Sequence, residues 1–346
     1  MTNRQVAVLG GGSFGTVLAN IAAENGCQVR FWMRSEELAR QVNAQHENPQ
    51  YLPGYRLHSR VIATHDMEQA AGLADIIFVA VPSHSFRAVV KDMLRFASAE
   101  AMLISCTKGI EAGTFLLMSQ ILEQEAPRAR VGVLSGPNLA KEIAQKFLSA
   151  TVIASSHGAV REAVKEVLGC QYFRVYTNDD CFGVELGGSL KNIYAIIAGM
   201  AAALGMGYNT NSMLVTRSLT EMARFGRELG ADPMTFMGLA GVGDLVVTCS
   251  TPLSRNYRVG LALGRGESLE AAIKEVDQTA EGINTLKQVK EKADELGVYM
   301  PLVNALYRVI YGHESISNII ASLMLSEQAL DVEFAAGDVK QLHQKE

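Results

Sequence analysis

The sequence predicts an α/β protein in two parts: an N-terminal, doubly wound, mostly parallel sheet, then an all-α C-terminal domain. Three observations carry this. An apolar run, Val6-Ala7-Val8-Leu9, opens the chain and meets a glycine-rich turn followed by a helical stretch. Strand-like and helix-like segments then alternate, the mark of parallel βαβ units with helices on both faces. Past about residue 180 the strand signals stop and the remaining patterns are helical. A length of 346 residues with 48% hydrophobic and 19% charged side chains suits an ordinary globular chain of two domains. The division is placed at 1–183, the alternating α/β part, and 184–346, the helical part.

The turn after the first strand, Gly10-Gly11-Gly12-Ser13-Phe14-Gly15, fits G-x-G-x-x-G in its proper setting between strand and helix. Gly10 allows the tight turn, Gly12 lets backbone N–H groups approach a pyrophosphate, and Gly15 lets the helix pack on the strand. This predicts a Rossmann-like domain with the phosphates at a helix N-terminus. The second strand, Gln28–Met33, ends in Arg34-Ser35, where an NAD-binding fold usually has an acidic residue for the ribose 2′-hydroxyl. A guanidinium suits a 2′-phosphate, so NADPH is the favoured cofactor and NADH an admissible one. Ser35 also fits as the N-cap of the next helix, with Glu36 and Glu37 in its first turn. The two readings are compatible.

Further strands are predicted at Val61–Thr64, Ile76–Val81, Met102–Cys106, Val131–Leu134, Thr151–Ala154 and Phe173–Tyr176. Helical patterns at Ser35–Gln45, Ser83–Phe96, Phe115–Gln124, Leu139–Lys146 and Ala159–Leu168 lie among them. His46–Arg60, with Pro49, Pro53 and Gly54, reads as a long loop able to cover a cofactor. The second part predicts helices at Val184–Leu204, Asn211–Gly226, Asp232–Ala240, Ser254–Leu263, Ser268–Glu275, Glu281–Leu296, Pro301–Tyr311 and Ser315–Leu325. The uncharged run Ile193–Gly207 is shorter than the ~20 residues a membrane span needs and reads as a core helix.

Composition narrows the function classes. A net charge of −5 lacks the basic excess of a nucleic-acid-binding surface. The five cysteines are scattered without C-x-x-C, which predicts reduced thiols in a cytoplasmic protein rather than a disulfide framework. The seven histidines show no metal-ligand spacing, so no metal is expected. The chain enters a strand almost at once, without the pattern of a signal peptide.

Four clusters can carry chemistry. Lys108, just after a strand, emerges at the carboxyl edge of the sheet, facing either a cleft or solvent. Lys191 enters the uncharged helix, and a charge there needs a partner or a shifted pKa. Asp244, in Gly243-Asp244-Leu245 with Thr248 a turn later, lies in an apolar segment and either caps a helix or holds a cation, Lys191 being the natural one. Ser254-Arg255-Asn256-Tyr257-Arg258 offers a hydroxyl, a guanidinium and an amide to a phosphate, or else an N-cap with two solvated arginines.

Together these clusters resemble the bacterial-type NAD(P)-dependent sn-glycerol-3-phosphate dehydrogenases. The resemblance runs through Gly10–Gly15, Thr107-Lys108-Gly109, Ser135-Gly136-Pro137, Ser189-Leu190-Lys191-Asn192, Gly243-Asp244-Leu245, Ser254-Arg255-Asn256 and Glu281-Gly282. It implies reversible reduction of dihydroxyacetone phosphate to sn-glycerol 3-phosphate for phospholipid synthesis, often in a homodimer. It implies Lys191 as the general acid/base. Lys108, Gly136, Asn138, Asp244, Ser254, Arg255 and Asn256 would surround glycerol 3-phosphate. Ser13, Phe14, Arg34, Lys108, Ala140, Arg255, Thr279 and Glu281 would line the dinucleotide.

In that mechanism apolar burial and Lys108 would lower the Lys191 pKa, and Asp244 would raise it. The competing readings are another two-domain NADPH reductase or β-hydroxyacid dehydrogenase, which would not need the Ser254–Asn256 cluster, and a non-catalytic NADPH-sensing protein, which could dispense with Lys191 or Asp244.

Overall fold

The computed structural model describes residues 4–276 and 281–325. The N-terminal half contains β1 (Gln5–Leu9), α1 (Ser13–Glu24), β2 (Gln28–Trp32), α2 (Glu36–Gln45), β3 (Glu47–Asn48), β4 (Leu52–Arg56), β5 (Val61–Thr64) and α3 (Met67–Ala71). It continues with β6 (Ile76–Val79), α4 (Ser83–Met93), β7 (Met102–Ser105), α5 (Met118–Glu125), β8 (Arg130–Ser135), α6 (Ala140–Ala144), β9 (Ser149–Ala154), α7 (Gly158–Leu168) and β10 (Phe173–Asn178). Eight of these strands form one sheet in the order β10-β9-β8-β7-β6-β1-β2-β5. Neighbours run parallel except at β8–β9, where Leu134 pairs with Ile153 in an antiparallel ladder.

The sheet is the mostly parallel one predicted. Every residue of β6 and β7 is buried, as expected for strands covered on both faces. Chain order reverses between β1 and β6, and a crevice at such a point, beyond the strands' carboxyl ends, is where dinucleotides bind.

The helical half is built around α8 (Cys181–Ala203), buried along most of its length. Against it pack α9 (Tyr208–Glu228), α10 (Asp244–Cys249), α11 (Arg255–Gly264), α13 (Glu281–Leu296) and α14 (Pro301–Tyr311), while α12 (Leu269–Glu275) lies on α11 and α15 (Ile316–Leu325) on α14. A helix apolar all round belongs in a core, which accounts for the uncharged run after Lys191. The α8–α11 crossing depends on two glycines: a β-carbon on Gly199 would lie 2.1 Å from the Tyr257 carbonyl oxygen and 3.0 Å from Gly260 Cα. No helix among the described residues is long and apolar enough to cross a membrane.

The short helices α3 and α10 fall in no predicted element, and two further segments differ from expectation. The long loop after α2 contains the β3–β4 hairpin. Its Asn48 is buried and donates to the Gly11 carbonyl and Thr16 Oγ1, both at 2.8 Å, which fastens the hairpin to the glycine turn. The helix predicted at Asp232–Ala240 is instead a 3₁₀ turn at Pro233–Met237 followed by a π-helical turn at Leu239–Gly243. Gly238 is extended between them, and a β-carbon on Gly241 would fall 2.0 Å from the Phe236 carbonyl oxygen. That close return places Asp244 at the start of α10.

Candidate active site

Asp244 is the hub of a buried charged cluster that joins the two halves. Its carboxylate is buried and taken at both oxygens by lysines from distant parts of the chain. Lys191 of α8 donates to Oδ1, and Lys108, from the loop after β7, donates to Oδ2 at 2.5 Å. Thr248, one turn along α10, accepts from Lys191 Nζ at 2.6 Å and donates to the Asp244 carbonyl at 2.6 Å. Lys108 Nζ also donates to the Gly136 carbonyl at 3.0 Å.

The local supports follow from the sequence. Thr107 Oγ1 donates to the Val81 carbonyl at 2.7 Å, pinning the loop that presents Lys108. Gly136 adopts φ +132°, a region that side chains disfavour, and a β-carbon there would press to 3.3 Å from Thr151 Cα. Burial pulls the Lys191 pKa down to about 7; Asp244 opposes this and Lys108 adds to it, so desolvation wins the contest the sequence left open.

The second cluster lies at the start of α11. Ser254 is the N-cap, its Oγ accepting from the Tyr257 N–H at 3.3 Å. Asn256 Oδ1 accepts from the Gly282 N–H at 3.1 Å. A β-carbon on Gly282 would sit 2.6 Å from the Asn192 carbonyl oxygen, so the start of α13 rests on α8 beside Lys191. Desolvation lowers the Arg255 pKa, Glu281 counters it and Arg258 reinforces it. Glu281 reaches across to the sheet domain and accepts from Ser83 Oγ at 2.6 Å and the Ser83 N–H at 3.3 Å.

The glycine turn fits a dinucleotide pyrophosphate. A β-carbon on Gly10 would lie 2.4 Å from the Ala80 carbonyl oxygen, and one on Gly15 would lie 2.1 Å from the Gly10 carbonyl oxygen. A β-carbon on Gly12 would meet nothing within 4 Å, leaving open space before the first turn of α1, whose N-cap is Gly12 itself. Orphan N–H groups there suit an anion. Ser13 Oγ donates to the Tyr51 carbonyl at 2.7 Å, and Phe14 packs on the sheet-domain core. Arg34 is exposed directly after β2, while Ser35 caps α2 by accepting from the Leu38 N–H at 3.1 Å. Ala140 opens α6, and Thr279 lies outside the described residues.

Comparison with known proteins accords with this geometry. The family model for the N-terminus of NAD-dependent glycerol-3-phosphate dehydrogenase matches residues 5–160, and that for its C-terminus matches 180–321. The chain belongs to this family. It is 55% identical over 332 residues to glycerol-3-phosphate dehydrogenase [NAD(P)+] of Saccharophagus degradans, covering 96% of this chain and 93% of that protein. It is 54% identical over 331 residues to the protein of the same name from Alcanivorax borkumensis, with 96% of each covered. The crystal structure of glycerol-3-phosphate dehydrogenase from Coxiella burnetii superposes with a TM-score of 0.89 at 35% identity, covering 94% of this chain and 99% of that one. A ketopantoate reductase from Ralstonia eutropha, at 17% identity and a TM-score of 0.57, shares the fold alone.

Two supporting residues carried little local signal. Thr151 is an ordinary strand residue in sequence, yet it touches Asn138. Glu185, buried on α8, accepts from Ser105 Oγ at 2.9 Å and the Ser119 N–H at 3.0 Å, tying the lysine-bearing helix to β7 and α5. Burial raises its pKa to about 7, against the pull of the Ser119 and Ser105 hydrogen bonds. An acidic residue amid apolar ones in the helix pattern was the one available hint.

Proposed function

We propose that this chain interconverts dihydroxyacetone phosphate and sn-glycerol 3-phosphate, using NADPH in preference to NADH. The observation that carries the reading is the Asp244 carboxylate held by Lys191 and Lys108 between the two halves, with a phosphate-type donor cluster at the adjoining start of α11. The dinucleotide held at the glycine turn would supply the hydride that the C2 carbonyl carbon takes up. Lys191, as ammonium, hydrogen-bonds the C2 oxygen and gives it a proton as negative charge develops there. Asp244 and Thr248 fix the direction of that N–H, and Lys108 adds a second positive charge beside the same carboxylate. Preorganised charges of this kind act most strongly where water is excluded.

Ser254, Arg255 and Asn256 hold the phosphate, whose binding energy orients the reacting carbon. Gly136 and Asn138 border the substrate. Gly10, Gly12, Ser13, Phe14, Gly15, Arg34, Lys108, Ala140, Arg255, Thr279 and Glu281 line the dinucleotide. The working division is 1–183 for the cofactor and 184–346 for the substrate.

The product is a backbone precursor for phospholipids, made in the cytoplasm. A homodimer belongs to the same reading. The deciding experiment follows NADPH oxidation with dihydroxyacetone phosphate and, in parallel, unphosphorylated dihydroxyacetone. Rapid turnover confined to the phosphorylated ketone is expected; no turnover of it would overturn the reading.

A further inference from the structure

Hydrogen-bond bookkeeping around Asn138 gives that residue a direction. Thr151 is fully buried in β9, and its Oγ1 lies 2.9 Å from the Ser135 carbonyl oxygen. A carbonyl can only accept, so the one hydroxyl hydrogen of Thr151 is committed there. Asn138 contacts the same Oγ1 at 3.0 Å, and with that hydrogen spent Asn138 must be the donor. Its amide is therefore locked with NH2 toward Thr151 and Oδ1 turned away. That Oδ1 is enclosed and has no hydrogen-bond partner among the described residues. Ser135 Oγ, next to the Lys108 stem and Gly188, is a second enclosed polar atom in the same condition. They flank Gly136, whose carbonyl takes Lys108: Ser135 ends β8 and Asn138 lies in the loop that follows.

Leaving a buried acceptor unmatched is costly, and such groups in native proteins are matched by ligand or water. A phosphate dianion offers only acceptors and cannot satisfy Asn138 Oδ1. The unphosphorylated end of dihydroxyacetone phosphate carries a hydroxyl, the donor such an atom requires.

We propose that Thr151 is a positioning residue that fixes the Asn138 amide so that Oδ1 accepts a hydrogen bond from the C1 hydroxyl of the substrate. The inference rests on the substrate reading above. It makes the loop after β8 the reader of the hydroxyl end, opposite the Ser254–Asn256 phosphate cluster. A site built to bond a hydroxyl rejects the analogue lacking it far more strongly than an apolar pocket rejects a missing methylene.

The test compares kcat/KM for dihydroxyacetone phosphate and hydroxyacetone phosphate, the same ketone with a methyl in place of the hydroxymethyl group. The wild type is expected to prefer the hydroxylated ketone by roughly tenfold or more. Thr151→Val should erase most of that preference by slowing the hydroxylated ketone alone, with NADPH affinity unchanged. Thr151→Ser, which keeps the donor and the acceptor, should restore it. Asn138→Ala should lose the preference in the same way and serves if Thr151→Val does not fold. An unchanged ratio in the folded Thr151→Val or Asn138→Ala protein overturns the proposal. An NADPH affinity that falls while the ratio holds also overturns it and assigns Oδ1 to the nicotinamide carboxamide. Failure of the wild type to reduce either ketone would instead refute the substrate reading itself.

Discussion

Lys108 and Lys191 take one oxygen each of a single buried carboxylate, Asp244, although one lysine follows a sheet strand and the other lies inside a core helix. With both amines protonated the trio carries a net positive charge, a setting for an anion at the cleft. The two halves of the chain are thus joined at the point where the chemistry is proposed. The Ser83–Glu281 contact is a second tie between them.

Lys191→Ala should fold and bind NADPH, because Asp244 keeps Lys108 as its partner. General acid catalysis contributes about 10²–10⁴-fold, so kcat should fall by that order. Stopped-flow turnover beside a fluorescence titration of NADPH separates the two effects. A variant with more than a tenth of the wild-type kcat, allowing about tenfold as the least loss a general acid should show, would falsify the assignment.

Because the Lys191 pKa is brought down to about 7, ketone reduction, which needs the ammonium, should decline as pH rises through that value. The reverse oxidation, which needs the neutral amine, should rise over the same range. Lys108 lowers this pKa and Asp244 raises it. Lys108→Met should therefore move the limb to higher pH, and Asp244→Asn to lower pH. Profiles of kcat against pH for both variants decide it, and limbs that stay put in both would exclude Lys191 as the titrating group.

Glu221 predicts a pH effect on stability rather than on rate. It is buried, accepts from the Leu302 N–H at 2.6 Å at the start of α14, and burial raises its pKa to about 7. The folded state thus binds a proton more tightly than the unfolded chain, whose Glu titrates near ~4.3. Its contribution is full below that value and is lost as pH climbs to about 7, with a slope of at most about 1.4 kcal/mol per pH unit. Glu221→Gln should flatten the decline measured by urea unfolding at pH values across this range, and an identical slope in the variant would contradict the account.

The parts of the fold that repeat a period were legible in the sequence. Each of the eight sheet strands was announced by an apolar run, and α8 by its uncharged length. Legibility failed where a backbone contact overrides the local pattern. Gly238 and Gly241 turn an apparent helix into two tight turns, and Asn48 draws a loop into a hairpin by reaching the glycine turn. At the site, charges that have no business in apolar segments, Lys191 and Asp244, stood out. Thr151 and Glu185 did not, since a threonine in a strand and a glutamate in a helix are unremarkable until their partners from elsewhere in the chain are known.

The proposed preference for NADPH rests on Arg34, exposed after β2 where an acidic residue would serve NAD. Arg34→Asp should weaken NADPH binding and leave NADH binding nearly intact, because a carboxylate repels the 2′-phosphate and accepts from the 2′-hydroxyl. Titrating both cofactors against both proteins gives the affinity ratio. A ratio that does not move removes Arg34 from the 2′-phosphate site.

Arg255 carries the prediction for the substrate phosphate. It follows Ser254 at the start of α11, and Asn256 next to it is anchored to the Gly282 N–H against α8. A phosphate dianion in a closed cleft needs a cation and several donors, and the guanidinium supplies a charged fork. Truncating one partner of a buried hydrogen-bonded charge pair costs roughly 2–5 kcal/mol. Arg255→Ala should then lower kcat/KM for dihydroxyacetone phosphate by roughly 30-fold to several thousand-fold. The slow reduction of unphosphorylated dihydroxyacetone should change far less, since it has no phosphate to lose. Glu281 is an electrostatic neighbour of Arg255 and is itself proposed to line the dinucleotide, so NADPH affinity must be measured on the same variant. Equal proportional losses for both ketones, with weakened NADPH binding, would move Arg255 from the substrate phosphate to the cofactor.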